Sequence, residues 1–188
     1  MDDVTTEEKA ILRDELGIKL DVDLRGGGSG SGGYGWGGQS GKDVSPLGSD
    51  IQISNQAYSS GQMAQSSTDS KLKITVGDII ESVTAGKPAY IHCYIGSDRT
   101  GYVCMLIEAL LGVSKKECDI DYEITSFASK IVSGTRPKEY TDNKNFREKF
   151  GADDNVPSKV QDYVVNTLGI SLDKVKAFRK AMGVNETL

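Results

Sequence analysis

Apolar and polar positions along this chain alternate at two different periods. Ile18-Lys19-Leu20-Asp21-Val22-Asp23-Leu24 alternates apolar with polar, which predicts a short strand ending near Asp23-Leu24-Arg25. Ahead of it, residues 5–16 read as a helix, with Thr5 or Thr6 as N-cap, acidic residues in the first turn and Gly17 as the stop. Ile51-Gln52-Ile53 reads as a second short strand, and residues 75–85 as a helix capped by Thr75 and stopped by Gly86. Lys87-Pro88 breaks the chain, and Ala89-Tyr90-Ile91-His92 then reads as a buried strand. From Arg99 to Leu111 the apolar residues Val103, Leu106, Ile107, Leu110 and Leu111 recur at helical spacing, and Gly112 ends the run. Ser114 caps a further helix reaching about Ser129, with Glu117 completing a capping box. Residues 143–150, 157–168 and 171–182 read as short helices. This order predicts an α/β fold, a central sheet flanked by helices, with a helical C-terminal half.

The glycines are concentrated in one place. Residues 26–41 hold a Gly-rich stretch carrying Tyr34 and Trp36. A packed helix or strand is disfavoured there, because glycine loses the most entropy on ordering. Its composition is that of a linker-like loop, and the competing reading is a flap that brings Tyr34 and Trp36 to a substrate. At 188 residues the chain is read as a single domain over 1–188.

Candidate chemistry sits where the third strand gives way to a helix. The run is His92-Cys93-Tyr94-Ile95-Gly96-Ser97-Asp98-Arg99-Thr100-Gly101. Backbone N–H groups of residues 94–99 (Tyr94, Ile95, Gly96, Ser97, Asp98, Arg99) can curl around phosphate oxygens, with the positive end of the following helix aimed at the same place. Gly96 allows a turn that a side chain would block. Arg99 offers a two-pronged fork to two oxygens, which lysine does not. A thiol at a helix N-terminus beside arginine is biased toward thiolate, so Cys93 is the candidate nucleophile. The implied mechanism is attack on phosphorus, a phosphocysteine, and hydrolysis of that intermediate by water. Thr100 can donate a hydrogen bond to the departing sulfur, and His92 orients the loop. A bare Cys-x5-Arg arises by chance; the neighbouring His, Gly and Thr-Gly, at a strand-to-helix switch, make this one specific.

Composition narrows the partners. The formal net charge is -5, which argues against nucleic acid, so a phosphorylated substrate would need a local positive field. Three cysteines, without repeated spacing, do not make a disulfide framework, and a single His gives little support to a metal site. No cofactor is called for. No run approaches the roughly 18 apolar residues of a membrane span. The acidic N-terminus lacks a signal-peptide layout. Thiol chemistry suits a reducing cytoplasm, with export open if a signal has been removed.

The stretch from Tyr90 to Gly101 resembles the signature of the protein-tyrosine phosphatase superfamily. Its Asp-Arg-Thr-Gly ending is similar to a bacterial branch of atypical tyrosine and phosphoinositide phosphatases, some of them exported. Leu16 to Arg25 resembles that branch's strand ending in Asp-Leu-Arg, and Asp121 to Phe127 its helix after the signature helix. The likeness covers residues 5–130 and is sharp at the loop. It implies a cysteine-phosphatase-like fold and a metal-independent phosphoric monoester hydrolase acting on phosphorylated protein or a small phosphomonoester. Where this chain has Ser97, the branch often has a lysine linked with lipid phosphate. The branch also carries a segment with a strand ahead of the first helix, which implies that this chain is a fragment or a truncated form. In that branch the loop aspartate serves as general acid, which points to Asp98. In the wider superfamily the acid lies upstream, where Asp50 is the alternative, followed by Asp43 and Asp69. A helix-capping role for Asp98 is compatible with either.

Asp23 and Arg25 end the first strand. They either support the phosphate loop or form a surface ion pair of little worth. Arg136 and Lys138 are auxiliary cations at most, as is Lys42. Cys104 reads as core, and Cys104 or Cys118 is a candidate to form a protective disulfide with oxidised Cys93. A protein-tyrosine or dual-specificity phosphatase is the leading expectation. Phosphoinositide or inositol phosphate hydrolysis, a catalytically silent phosphate-binding module and sulfur transfer are the alternatives.

Overall fold

A computed structural model describes residues 4–25, 42–94, 96–125 and 144–184. The three strands β1 (Leu20–Asp23), β2 (Gln52–Ser54) and β3 (Ala89–His92) form a parallel sheet in the order β2-β1-β3. β1 is central, and its register sets Asp21 beside Tyr90 and Asp23 beside His92. Parallel strands have both faces covered, and every residue of β1 is buried.

Leu20, Val22 and Leu24 face the main core. Each such side chain contributes about 1.5–3 kcal/mol by leaving water. Helix α2 (Asp69–Thr84) meets them through Leu72, Val76, Ile79 and Ile80. Helix α3 (Asp98–Leu110) adds Val103, Leu106 and Leu110. The same core takes Cys118 and Tyr122 from α4 (Lys115–Ile124) and Phe146 from α5 (Lys144–Phe150). Val160 comes from α6 (Val156–Asp162), and Val175 and Phe178 from α7 (Leu172–Ala181). A small second cluster, Ile18, Leu47 and Ile51 with Leu12 and Tyr90, lies over the polar side of β1.

The caps read from the sequence hold at Thr5 and Ser114, each closing a capping box with Glu8 or Glu117. α1 (Thr6–Ala10) continues as a wider π-helical turn, Ile11–Glu15, before Gly17. The expectation at Thr75 is corrected. α2 starts at Asp69, and Thr75 lies buried inside it, with its hydroxyl 2.8 Å from that of Tyr58. The helix extends upstream because Leu72 continues the apolar stripe of Val76, Ile79 and Ile80. Gly-rich residues 26–41, the far end of the helix expected to reach Ser129, and Arg136 and Lys138 lie outside the described residues. Among the described residues, no helix is long and apolar enough to cross a membrane.

Candidate active site at the end of the third strand

Cys93 follows the last residue of β3, and α3 begins at Asp98, so the loop sits at the C-terminal edge of the sheet, where α/β folds bind ligands. Gly96 has φ +72, with no atom within 4 Å of where a Cβ would stand, so it is there for backbone conformation. Gly101 answers a different demand. A Cβ on it would lie 2.6 Å from the ring of Tyr122, so the Thr-Gly ending lets α4 pack closely against α3.

Cys93 and Arg99 are both buried, at 4% and 7% exposure. Burial pushes the Cys93 thiol up, but the Thr100 hydroxyl and N–H, the Arg99 charge and the Gly96 N–H outweigh it, leaving the thiol below its ordinary range. The Arg99 Nη1 lies 3.5 Å from the Leu24 carbonyl and 3.4 Å from that of Tyr58, long contacts that aim the guanidinium while leaving other donors for a ligand. The Ser97 and Thr100 hydroxyls have no oxygen or nitrogen partner among the described residues. Asp98 is the first residue of α3 and half-buried, while Tyr94 is exposed. Ile95 lies outside the described residues.

The upstream candidates fall in different places. Asp50 precedes β2 and approaches Lys19, just ahead of β1, at 3.9 Å. In a parallel sheet that is the N-terminal edge, opposite the Cys93 loop, so the structure does not bring Asp50 to the site. Asp69 receives the Tyr163 hydroxyl at 2.5 Å and the Lys149 ammonium at 2.8 Å. Asp43 is exposed and follows Lys42, whose N–H points at Asp23 Oδ2 from 3.4 Å.

Asp23 and Arg25 are not a surface pair. At side-chain exposures of 2% and 1% they make a two-pronged bond, Nε to Oδ1 at 2.9 Å and Nη2 to Oδ2 at 2.8 Å. Burial raises the Asp23 carboxyl, and the Arg25 bonds and the His92 charge more than reverse it.

Sequence reasoning missed Asp21. It is fully buried, accepts the Ser45 hydroxyl at 2.6 Å and lies 2.9 Å from His92 Nε2. The other ring nitrogen, Nδ1, lies 3.2 Å from the Cys93 carbonyl oxygen. The signal available was a second aspartate two positions before Asp23, on the same face of the alternating strand.

All three cysteines are free. Burial first, then neighbouring carboxylates, push the Cys104 and Cys118 thiols up to about 12. Among the described residues, no three His, Cys, Asp or Glu side chains are grouped to hold a metal ion. A comparison with curated proteins gave no match. The model of the tyrosine phosphatase family matches residues 1–184, a span that takes in the cysteine loop, the sheet behind it and the C-terminal helices. On this match the chain belongs to the tyrosine phosphatase family.

Proposed function

We propose that this protein hydrolyses phosphotyrosine in proteins through a phosphocysteine on Cys93. The observation that carries the reading is the buried pair of Cys93 and Arg99 where the loop after β3 runs into α3, with the Thr100 and Gly96 donors favouring the Cys93 thiolate. Arg99 binds two phosphoryl oxygens and, with the loop N–H groups, stabilises the charge that develops on them. Cys93 attacks phosphorus while Asp98 protonates the leaving phenolic oxygen. Asp98 then takes a proton from the water that cleaves the phosphocysteine. Thr100 donates its hydroxyl hydrogen to the sulfur as it leaves. None of these steps calls for a metal. The core shared between the sheet and α5–α7 supports reading residues 1–188 as one phosphatase domain.

Ser97 favours a protein substrate over an inositol phosphate. It is fully buried and brings no cation to the loop. Tyr94, the loop residue next to Cys93, is exposed, which supports contact between its ring and an aromatic phosphate ester. The test is a substrate panel compared by kcat/KM. Phosphotyrosyl peptides are expected to exceed inositol phosphates and phosphoseryl peptides, and an inositol phosphate at the head of the ranking would overturn the substrate assignment.

A further inference from the structure

We infer that Asp21 is a positioning residue for the Cys93 loop, holding His92 as a doubly protonated ring directly behind the nucleophile. The inference deepens the proposed function and rests on it for its catalytic meaning.

It follows from which groups the ring faces. His92 Nε2 lies 2.9 Å from an Asp21 carboxylate oxygen, and Nδ1 lies 3.2 Å from the Cys93 carbonyl oxygen. A carbonyl oxygen only accepts, as does an ionised carboxylate. A neutral imidazole carries one N–H and would leave one of its nitrogens facing an acceptor lone pair to lone pair. Two protons on the ring satisfy both contacts. The extra proton could instead sit on Asp21, but imidazole is the stronger base by about 2.5 pH units in ordinary solution. Asp21 is also already engaged by the Ser45 hydroxyl at 2.6 Å.

Charge balance gives the same answer. The charged and titratable groups on the elements packed here are Asp21 and Asp23 on β1, Arg25 just past it, Tyr90 on the ring's own strand, Cys93 just past that strand, and Arg99 on α3 beside Cys93. Asp21, Asp23, Arg25 and His92 are all buried. Two carboxylates and the Cys93 thiolate, against the guanidiniums of Arg25 and of Arg99 beside Cys93, leave one buried negative charge, which is costly when uncompensated. A protonated His92 closes the set to neutrality. The Tyr90 ring, stacked at 5.4 Å and 29°, holds the imidazole plane. The consequence is a positive charge one residue before Cys93, pinned through the Cys93 carbonyl, which favours the thiolate.

Two measurements test this. His92 is the only histidine in the chain, so its ring nitrogens can be read by NMR in the wild-type protein without assignment ambiguity. Both are expected to be protonated at neutral pH, and a singly protonated ring would overturn the inference. In Asp21→Asn, the pH at which iodoacetamide alkylation of Cys93 reaches half its maximal rate is expected to rise by about one unit. A folded Asp21→Asn protein with the wild-type profile would overturn it as well. The ring spectrum decides the matter even if that variant does not fold. Neither readout uses ester hydrolysis, so absent turnover with an intact alkylation profile would count against the proposed function and not against Asp21.

Discussion

At the scale of single residues, the three cysteines make a matched comparison. Cys93 and Cys118 are buried and Cys104 half-buried, yet Cys104 and Cys118 are pushed up to about 12 and Cys93 falls below its ordinary value. The difference is the set of donors around Cys93, led by Thr100. A lowered thiol pKa means that thiolate is present from a lower pH upward and disappears as pH falls through that value. Iodoacetamide at pH 7 is therefore expected to label one cysteine, and peptide mapping should find the label on Cys93. Labelling of Cys104 or Cys118 ahead of it would contradict the account. Thr100→Ala is expected to move the half-maximal alkylation pH upward, while Thr100→Ser, which keeps the hydroxyl, stays near wild type. Cys93, Arg99, Thr100 and Gly96 were legible in the sequence because the loop is local: strand, turn and helix are contiguous, and each residue's task follows from its neighbours. Asp21 was not, because its meaning depends on β3 lying beside β1, a pairing between residues far apart in the chain. The alternation around Asp21 and Asp23 reads as a strand with one wet face, whereas His92 and the segment carrying Ser45 and Leu47 cover that face.

At the scale of elements, two glycines of the signature loop serve different ends, and stability measurements can separate them. Gly101→Ala would place a methyl group 2.6 Å from the Tyr122 ring. Overpacking of this kind costs about 1–3 kcal/mol, so denaturant unfolding should show a loss of that size, which should vanish when Gly101→Ala is made in a Tyr122→Ala background. Gly96→Ala meets no atom within 4 Å but must hold φ +72, a strain of about 1–2 kcal/mol. No second-site truncation should rescue it. Helix boundaries show the reach of sequence patterning. Thr5 and Ser114 were legible as caps because their partners, Glu8 and Glu117, lie three residues on. Thr75 looked like a cap from the same local evidence. Its hydroxyl partner is Tyr58, in the connection after β2, which no local pattern reveals.

At the scale of the whole molecule, the C-terminal helices are tied to the layer that carries the site. Asp69, at the start of α2, takes Lys149 of α5 and the Tyr163 hydroxyl just past α6, with the Lys149 ammonium 3.9 Å above the Tyr163 ring. Asp69→Ala removes the acceptor shared by the Lys149 ammonium and the Tyr163 hydroxyl in a half-buried place, which costs about 1–3 kcal/mol. It should lower the thermal midpoint while the alkylation profile of Cys93 stays as in wild type. A shifted profile in a stable variant would contradict a purely structural role for Asp69. The exposed Lys174–Glu81 pair between α7 and α2, by contrast, is worth little. The α/β class was legible because strand and helix periods alternate. Sheet order was not, since nothing in β1 alone says that it will be central.

The central claim is that Cys93 is the nucleophile of a phosphatase. Its most direct test is hydrolysis of a small aryl phosphate in the presence of EDTA, by the wild type and by Cys93→Ser. The account predicts turnover by the wild type and none by the variant. Turnover that survives in Cys93→Ser, or a folded wild-type protein that turns over no aryl phosphate, would contradict it.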